Sequence, residues 1–169
     1  MHLAGGRAAL AVLIATEPAE DQRARAGHSF LAMLFCVPVF TAVHLVGRST
    51  DIDWPREGAS FVLGWLGYAV LSHHLAARMG RAALWPRFIT LWNWCNLVQY
   101  LLMVAALAPP WLGMAPVVGQ TAWLVALGWS LWLQWSATRL TLALAGGSAA
   151  LMVAADMALG LVVLRFTVG

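Results

Sequence analysis

Five long apolar stretches, at 28–46, 58–77, 88–108, 117–138 and 148–164, constrain this chain more than any other feature. A bilayer core of about 30 Å is crossed by about 20 residues of α-helix. Inside it every backbone polar group must be satisfied within the protein, which leaves a helix as the economical solution for each stretch. Five spans in 169 residues leave no room for a soluble domain. The sequence therefore predicts an all-α, polytopic transmembrane bundle. The connections fit that reading. Residues 47–57 are polar, with Asp51, Asp53, Trp54 and Pro55; 78–87 is basic, with three Arg and no acid; 109–116 is an uncharged Pro-rich turn; and Gly146-Gly147 is expected to break the helix before the fifth span. Pro38, inside the first span, is expected to kink it by removing a backbone hydrogen bond.

Composition agrees. The chain is 62% hydrophobic and 10% charged, with mean hydropathy +0.77, against about 45–50% apolar and about 25% charged residues in soluble domains. All basic residues are Arg, and a net charge of +3 spread along the chain gives no patch for nucleic acid. Arg7, Arg23, Arg25, Arg78, Arg81, Arg87 and Arg139 fall on the side of the N-terminus, whereas Arg48, Arg56 and Arg165 fall on the other. The positive-inside rule then predicts a cytoplasmic N-terminus and a periplasmic C-terminus. An Arg-only, Ala-rich chain with no organelle-type presequence points to a bacterial inner membrane. Ahead of the spans, the apolar run at 8–15 is too short to cross and no small-x-small cleavage site follows it, so it reads as a short interfacial helix. Residues 17–27, with Glu17, Glu20, Asp21, Arg23 and Arg25, read as a wet linker. The expected organisation is thus 1–27 at the cytoplasmic surface and 28–169 in the membrane.

The third span carries its own polar stripe. Asn93, Asn96 and Gln99 recur every three residues on one side of a helix. Three amides facing hydrocarbon are costly, so this helix should be central. Asp156 is the only carboxylate inside any span. It lies eight residues into the fifth, ~12 Å deep at ~1.5 Å per residue, level with Asn96. Ser130, Gln134 and Thr138 of the fourth span and His73 and His74 of the second approach the same side. An ionised Asp at that depth must be paired or wet. The expected cluster is Asp156, Asn93, Asn96, Gln134, Ser130 and one of His73 and His74. Two roles stay open: polar groups gluing helices together, or a proton or solute site in which Asp156 and a His, which titrates near neutrality, act together.

Other chemistry finds less support. His28 with His73 or His74 is a conceivable bis-His site for haem or pigment, but nothing else in the sequence accompanies it, and no cofactor is expected. Cys36 and Cys95 lack metal-ligand spacing and read as packing thiols, and no metal is expected. Catalytic motifs for nucleophiles, phosphate loops or zinc hydrolases are absent. Ala150, Ala154 and Ala158 form a small-residue ridge fit for close approach of another helix, from this chain or a second copy. Trp129, Trp132 and Trp135 form a stripe read as helix packing or lipid contact; Trp54, Trp85 and Trp111 read as interfacial anchors. The expectation is a non-catalytic membrane protein, an organiser or accessory subunit of a larger complex, whose partners are lipid and another protein or a second copy. The alternative is a small transporter or proton-coupled channel using the Asp/His/Asn cluster; an odd number of spans counts against an inverted repeat within one chain.

Several segments carry a resemblance. These are His-Leu-Ala-Ala-Arg-Met-Gly-Arg at 74–81, Phe-Ile-Thr-Leu-Trp-Asn-Trp at 88–94, Trp-Ser-Leu-Trp at 129–132, and Arg139 to Gly147 leading to Asp156. From about Leu66 to Val163 the chain resembles bacterial, alphaproteobacterial-type members of the Yip-domain superfamily, which implies five spans with a cytoplasmic N-terminus. Eukaryotic members act as adaptors for small GTPases in membrane traffic. That role does not carry over, because the segment ahead of the first span is too short to be such a binding arm.

Overall fold

The computed structural model describes residues 19–46 and 52–168. The expected interfacial helix at 8–15 and residues 47–51 of the first polar loop lie outside the described residues. The described chain is helical throughout, with no strand among the described residues: α1 (Ala19–Ser29), α2 (Leu31–Val46), α3 (Trp54–Arg78), a 3₁₀ turn (Ala82–Leu84), α4 (Trp85–Ala106), α5 (Ala108–Trp111), α6 (Pro116–Leu142) and α7 (Gly146–Val168). Three segments are long and apolar enough to cross a membrane: Glu20–Leu45, Ala82–Ala106 and Gly146–Phe166. α3 and α6 are longer, at 25 and 27 residues, but their Ser, His, Gln and Thr residues dilute the apolar character.

Local chemistry sets the helix ends. Asp53 caps α3 by accepting from the Arg56 backbone N–H at 3.2 Å, and Pro55 sits in its first turn, where a missing N–H costs nothing. At the other end Gly80 adopts φ +69°. Its N–H donates to the Ala77 carbonyl and that of Arg81 to the Ala76 carbonyl, the paired bonds of a Schellman cap. Prolines again open α4 and α6, at Pro86 and Pro116.

Three boundaries differ from expectation. α3 begins at Trp54, inside the stretch expected to be a polar loop, while α2 contains Pro38 and is separated from α1 by a turn at Phe30. The expected linker is helical from Ala19, because Ala26 and Ser29 are buried where α1 packs on α4. α6 ends at Ala143, which takes the left-handed conformation (φ 49°, ψ 46°), and Gly146-Gly147 begins α7 instead of breaking a helix.

α4 is the centre of the bundle. It packs against α1, α2 and α6 and touches α3, while α7 lies against α3 and α6. The core is aromatic and small by turns: Trp65, Tyr68, Phe88 and Trp92 are buried beside Ala32, Ala69, Ala76 and Ala149. α3 and α7 approach closely at Gly67, where an added Cβ meets Leu159 Cδ2 at 3.3 Å. At one end of the bundle the C-terminus of α2, the N-terminus of α3 and the C-terminus of α7 come together. There His44 pairs with Glu57, and the Arg56 guanidinium donates to the Phe166 carbonyl.

Candidate functional site

Successive polar residues on α4 are three apart, a rotation of ~300° at ~3.6 residues per turn, so each steps back by ~60° from the last. Asn93 and Gln99 consequently point ~120° apart, and the stripe divides among different neighbours. Asn93 is fully buried. Its Oδ1 accepts from Trp65 Nε1 of α3 at 2.7 Å, and its Nδ2 donates to Ser29 Oγ of α1 at 2.7 Å. The Ser29 hydroxyl in turn donates to the Ala26 carbonyl at 2.7 Å. Three helices are thus joined by one chain of hydrogen bonds. Gln99 turns to α6 and donates to the Ser130 carbonyl at 3.3 Å. Asn96, between them, donates to the Trp92 carbonyl of its own helix at 2.9 Å and lines a cavity.

Asp156 forms a second centre. Its Oδ2 accepts from Gln134 Nε2 of α6 and from Trp92 Nε1 of α4 at 3.3 Å. α7, α6 and α4 meet at that one oxygen. One turn earlier, the Met152 carbonyl accepts from Tyr68 Oη of α3 at 3.1 Å. The two centres touch through aromatic rings: Trp92 lies edge-to-face on Trp65 with centroids 5.5 Å apart, and against Tyr68 at 4.8 Å.

The structure therefore brings Asp156 and Gln134 into direct contact and sets Asn93 beside them through the Trp92–Trp65 pair. Ser130 is buried next to Gln99, and its Oγ has no partner among the described residues. Thr138 bonds back to the Gln134 carbonyl at 2.8 Å. His73 and His74 do not join: both face outward, His73 packing edge-on against Trp85 at 4.9 Å. α3 turns Ser72 inward in their place, and Ser72 Oγ accepts from Trp85 Nε1 at 3.1 Å. His28, proposed beside them for haem or pigment, also faces outward. No group of three His, Cys, Asp or Glu is placed to hold a metal among the described residues. Cys36 and Cys95 are buried free thiols.

Four participants were not anticipated: Ser29, Trp65, Tyr68 and Trp92. A signal existed for two of them. Trp65 and Tyr68 are i, i+3 on one helix face, and a buried indole N–H or phenol O–H needs an acceptor. Ser29 gave none, standing at the edge of a segment that reads as solvated.

A separate cavity of about 360 Å³ lies between α2, α3, α4 and α7. His44 and Glu57 line it together with Phe40, Phe61, Trp65 and Tyr100, and Trp92 and Asn96 line it from α4. Trp92 thus borders this cavity and also bonds Asp156, whereas Asp156 is not among the lining residues. No protein-family model, curated protein or solved structure matches this chain.

Proposed function

We propose that this chain is a non-catalytic, five-span protein of the bacterial inner membrane, an organiser or accessory subunit whose intramembrane polar groups fix the arrangement of its helices. The observation that carries the reading is the environment of Asp156: its Oδ2 is engaged by Gln134 and Trp92 side chains, and the neighbouring cavity does not reach it. A proton carrier needs a carboxylate that is released and rewetted in each cycle; here two neutral donors from two other helices hold it. The lengths of α3 and α6 support five spans, since helices of 25 and 27 residues are ~37 and ~40 Å long at ~1.5 Å per residue. The Arg distribution supports a cytoplasmic N-terminus, and the Yip-like resemblance implies the same orientation. Outward-facing Trp129 and Trp132, and the outward Ala150, Ala154 and Ala158, leave one face of α6 and one of α7 for lipid, a partner or a second copy.

The test is reconstitution in liposomes loaded with a pH-sensitive dye, paired with native-nanodisc mass spectrometry. A stoichiometric partner, with no proton flux above that of empty liposomes, supports the proposal. A flux present in the wild type and lost in Asp156→Asn refutes it in favour of a proton-coupled transporter. Cysteines placed singly at Gly80 and Gly113 in a Cys36→Ser, Cys95→Ser background test the topology: labelling by an impermeant maleimide from opposite sides is expected.

A further inference from the structure

The cavity between α2, α3, α4 and α7 has a chemistry of its own. Its wall is a continuous series of aromatic rings. Phe40 and Phe61 lie 4.9 Å apart, Phe61 and Trp65 5.7 Å, Phe61 and Tyr100 6.0 Å, and Trp65 is stacked with Tyr100 at 6.4 Å and 17°. His44 and Glu57 also line it, with Nε2 and Oε2 3.3 Å apart. On the side of α7 it is closed only by Gly160, Val163 and Leu164.

The hydrogen bonds of His44 count the protons. Nδ1 lies 2.9 Å from the Phe40 carbonyl oxygen, which can only accept, so Nδ1 carries a hydrogen. A neutral imidazole then has a bare Nε2, and a bare nitrogen facing a carboxylate oxygen sets two acceptors against each other. The contact at 3.3 Å is a hydrogen bond only where a proton lies between Nε2 and Oε2. Among the described residues, α2 contributes only His44 to the titratable lining, α3 only Glu57, α4 only Tyr100 and α7 none. Arg56, next to Glu57, is turned to the Phe166 carbonyl.

We propose that this cavity binds a hydrophobic organic monocation, a quaternary ammonium or protonated amine. Glu57 is its counter-ion, the aromatic faces of Phe61, Trp65 and Tyr100 are its wall, and binding displaces the proton shared by His44 and Glu57. Aromatic faces present negative potential and attract ammonium groups, more strongly where water is excluded. Among the described residues Glu57 is the one carboxylate in the lining and no guanidinium lines it, so these residues favour positive over negative ligands. The balance closes: one cation enters, one proton leaves from His44 Nε2, and the site stays neutral, with neutral His44 and the Glu57 carboxylate facing the cation. This site is independent of the scaffold reading, because Asp156 takes no part in it.

The probe is benzyltrimethylammonium, compared with its uncharged isostere neopentylbenzene, on the full chain in nanodiscs. Calorimetry in two buffers of different ionisation enthalpy reads the protons released per cation bound. The cation is expected to bind at least about tenfold more tightly than the isostere, a difference of about 1.4 kcal/mol, with one proton released. Glu57→Gln is expected to lose that preference; His44→Gln is expected to bind the cation and release no proton. Equal binding of cation and isostere by the wild type, or cation binding with no proton release, overturns the proposal whether or not the variants fold.

Discussion

The Trp65–Asn93–Ser29 chain makes a quantitative prediction. Replacing Asn93 by Leu keeps the volume close to that of the amide and removes both of its hydrogen bonds. The two ends of the chain suffer differently. Ser29 keeps its bond to the Ala26 carbonyl, so its hydroxyl hydrogen stays satisfied. Trp65 Nε1 loses its acceptor and is left in a site where the ring is 4% exposed. Interhelical hydrogen bonds in membranes average about 0.6 kcal/mol because the unfolded state in lipid finds partners too, whereas a buried donor left unpaired costs about 1–3 kcal/mol. The orphaned indole should therefore dominate, and Asn93→Leu should destabilise the bundle by about 2 kcal/mol. Trp65→Phe on the wild type orphans the Asn93 carbonyl oxygen and costs a similar amount. On the Asn93→Leu background it removes the orphan. The double variant should thus be more stable than the sum of the singles by at least about 1 kcal/mol, well outside the ~0.3–0.5 kcal/mol scatter of independent sites. Reversible unfolding by steric trapping in bicelles measures all four corners of the cycle. Additivity within that scatter would show that Trp65 and Asn93 are not coupled.

Further predictions concern the other contacts. Asp156→Asn retains an acceptor oxygen for Gln134 and Trp92 and should be tolerated, whereas Asp156→Leu orphans both donors and should cost at least about 1–3 kcal/mol; thermal unfolding in detergent ranks the two. At Gly67 a Cβ already meets Leu159 at 3.3 Å, so Gly67→Val should force α3 and α7 apart and cost about 1–3 kcal/mol, recovered in part by Leu159→Ala in the same unfolding assay. Arg139 lies 4.7 Å over the Trp135 ring, and Arg139→Gln should lose about 0.5–1 kcal/mol, with a change in Trp135 fluorescence as the local readout.

Much of this architecture is legible because lipid allows the chain so few choices. Apolar length gives the helices, and Pro55, Pro86 and Pro116 mark three of their starts. The centrality of α4 follows from a single argument, that Asn93, Asn96 and Gln99 cannot all face hydrocarbon. What escapes is rotation. His73 and Ser72 are neighbours in sequence and differ by ~100° about the helix axis, and nothing in the chain says which is inside until Trp85 is seen to bond the serine. Break positions escape for a related reason. Gly146 looks like the natural breaker, but its carbonyl accepts from Trp135 Nε1 at 3.0 Å and its Cα lies against that ring, so the glycine serves close packing while Ala143 makes the turn.

The two centres also show why so few polar groups suffice. In a bundle whose outer faces are apolar, helices gain little from the hydrophobic effect and can slide or rotate past one another. Hydrogen bonds with definite partners remove that freedom. α4 supplies one such bond in each direction: Trp85 to α3, Trp92 to α7, Asn93 to α1 and α3, and Gln99 to α6. Rotating α4 by one residue breaks all of them together. α7 is tied along its whole length as well: Gly146 to Trp135 of α6, Met152 to Tyr68 of α3, Asp156 to Gln134 of α6 and Trp92 of α4, and Phe166 to Arg56 of α3. The two helices therefore share the restraint, α4 holding the centre of the bundle and α7 pinning α3 and α6 beside it.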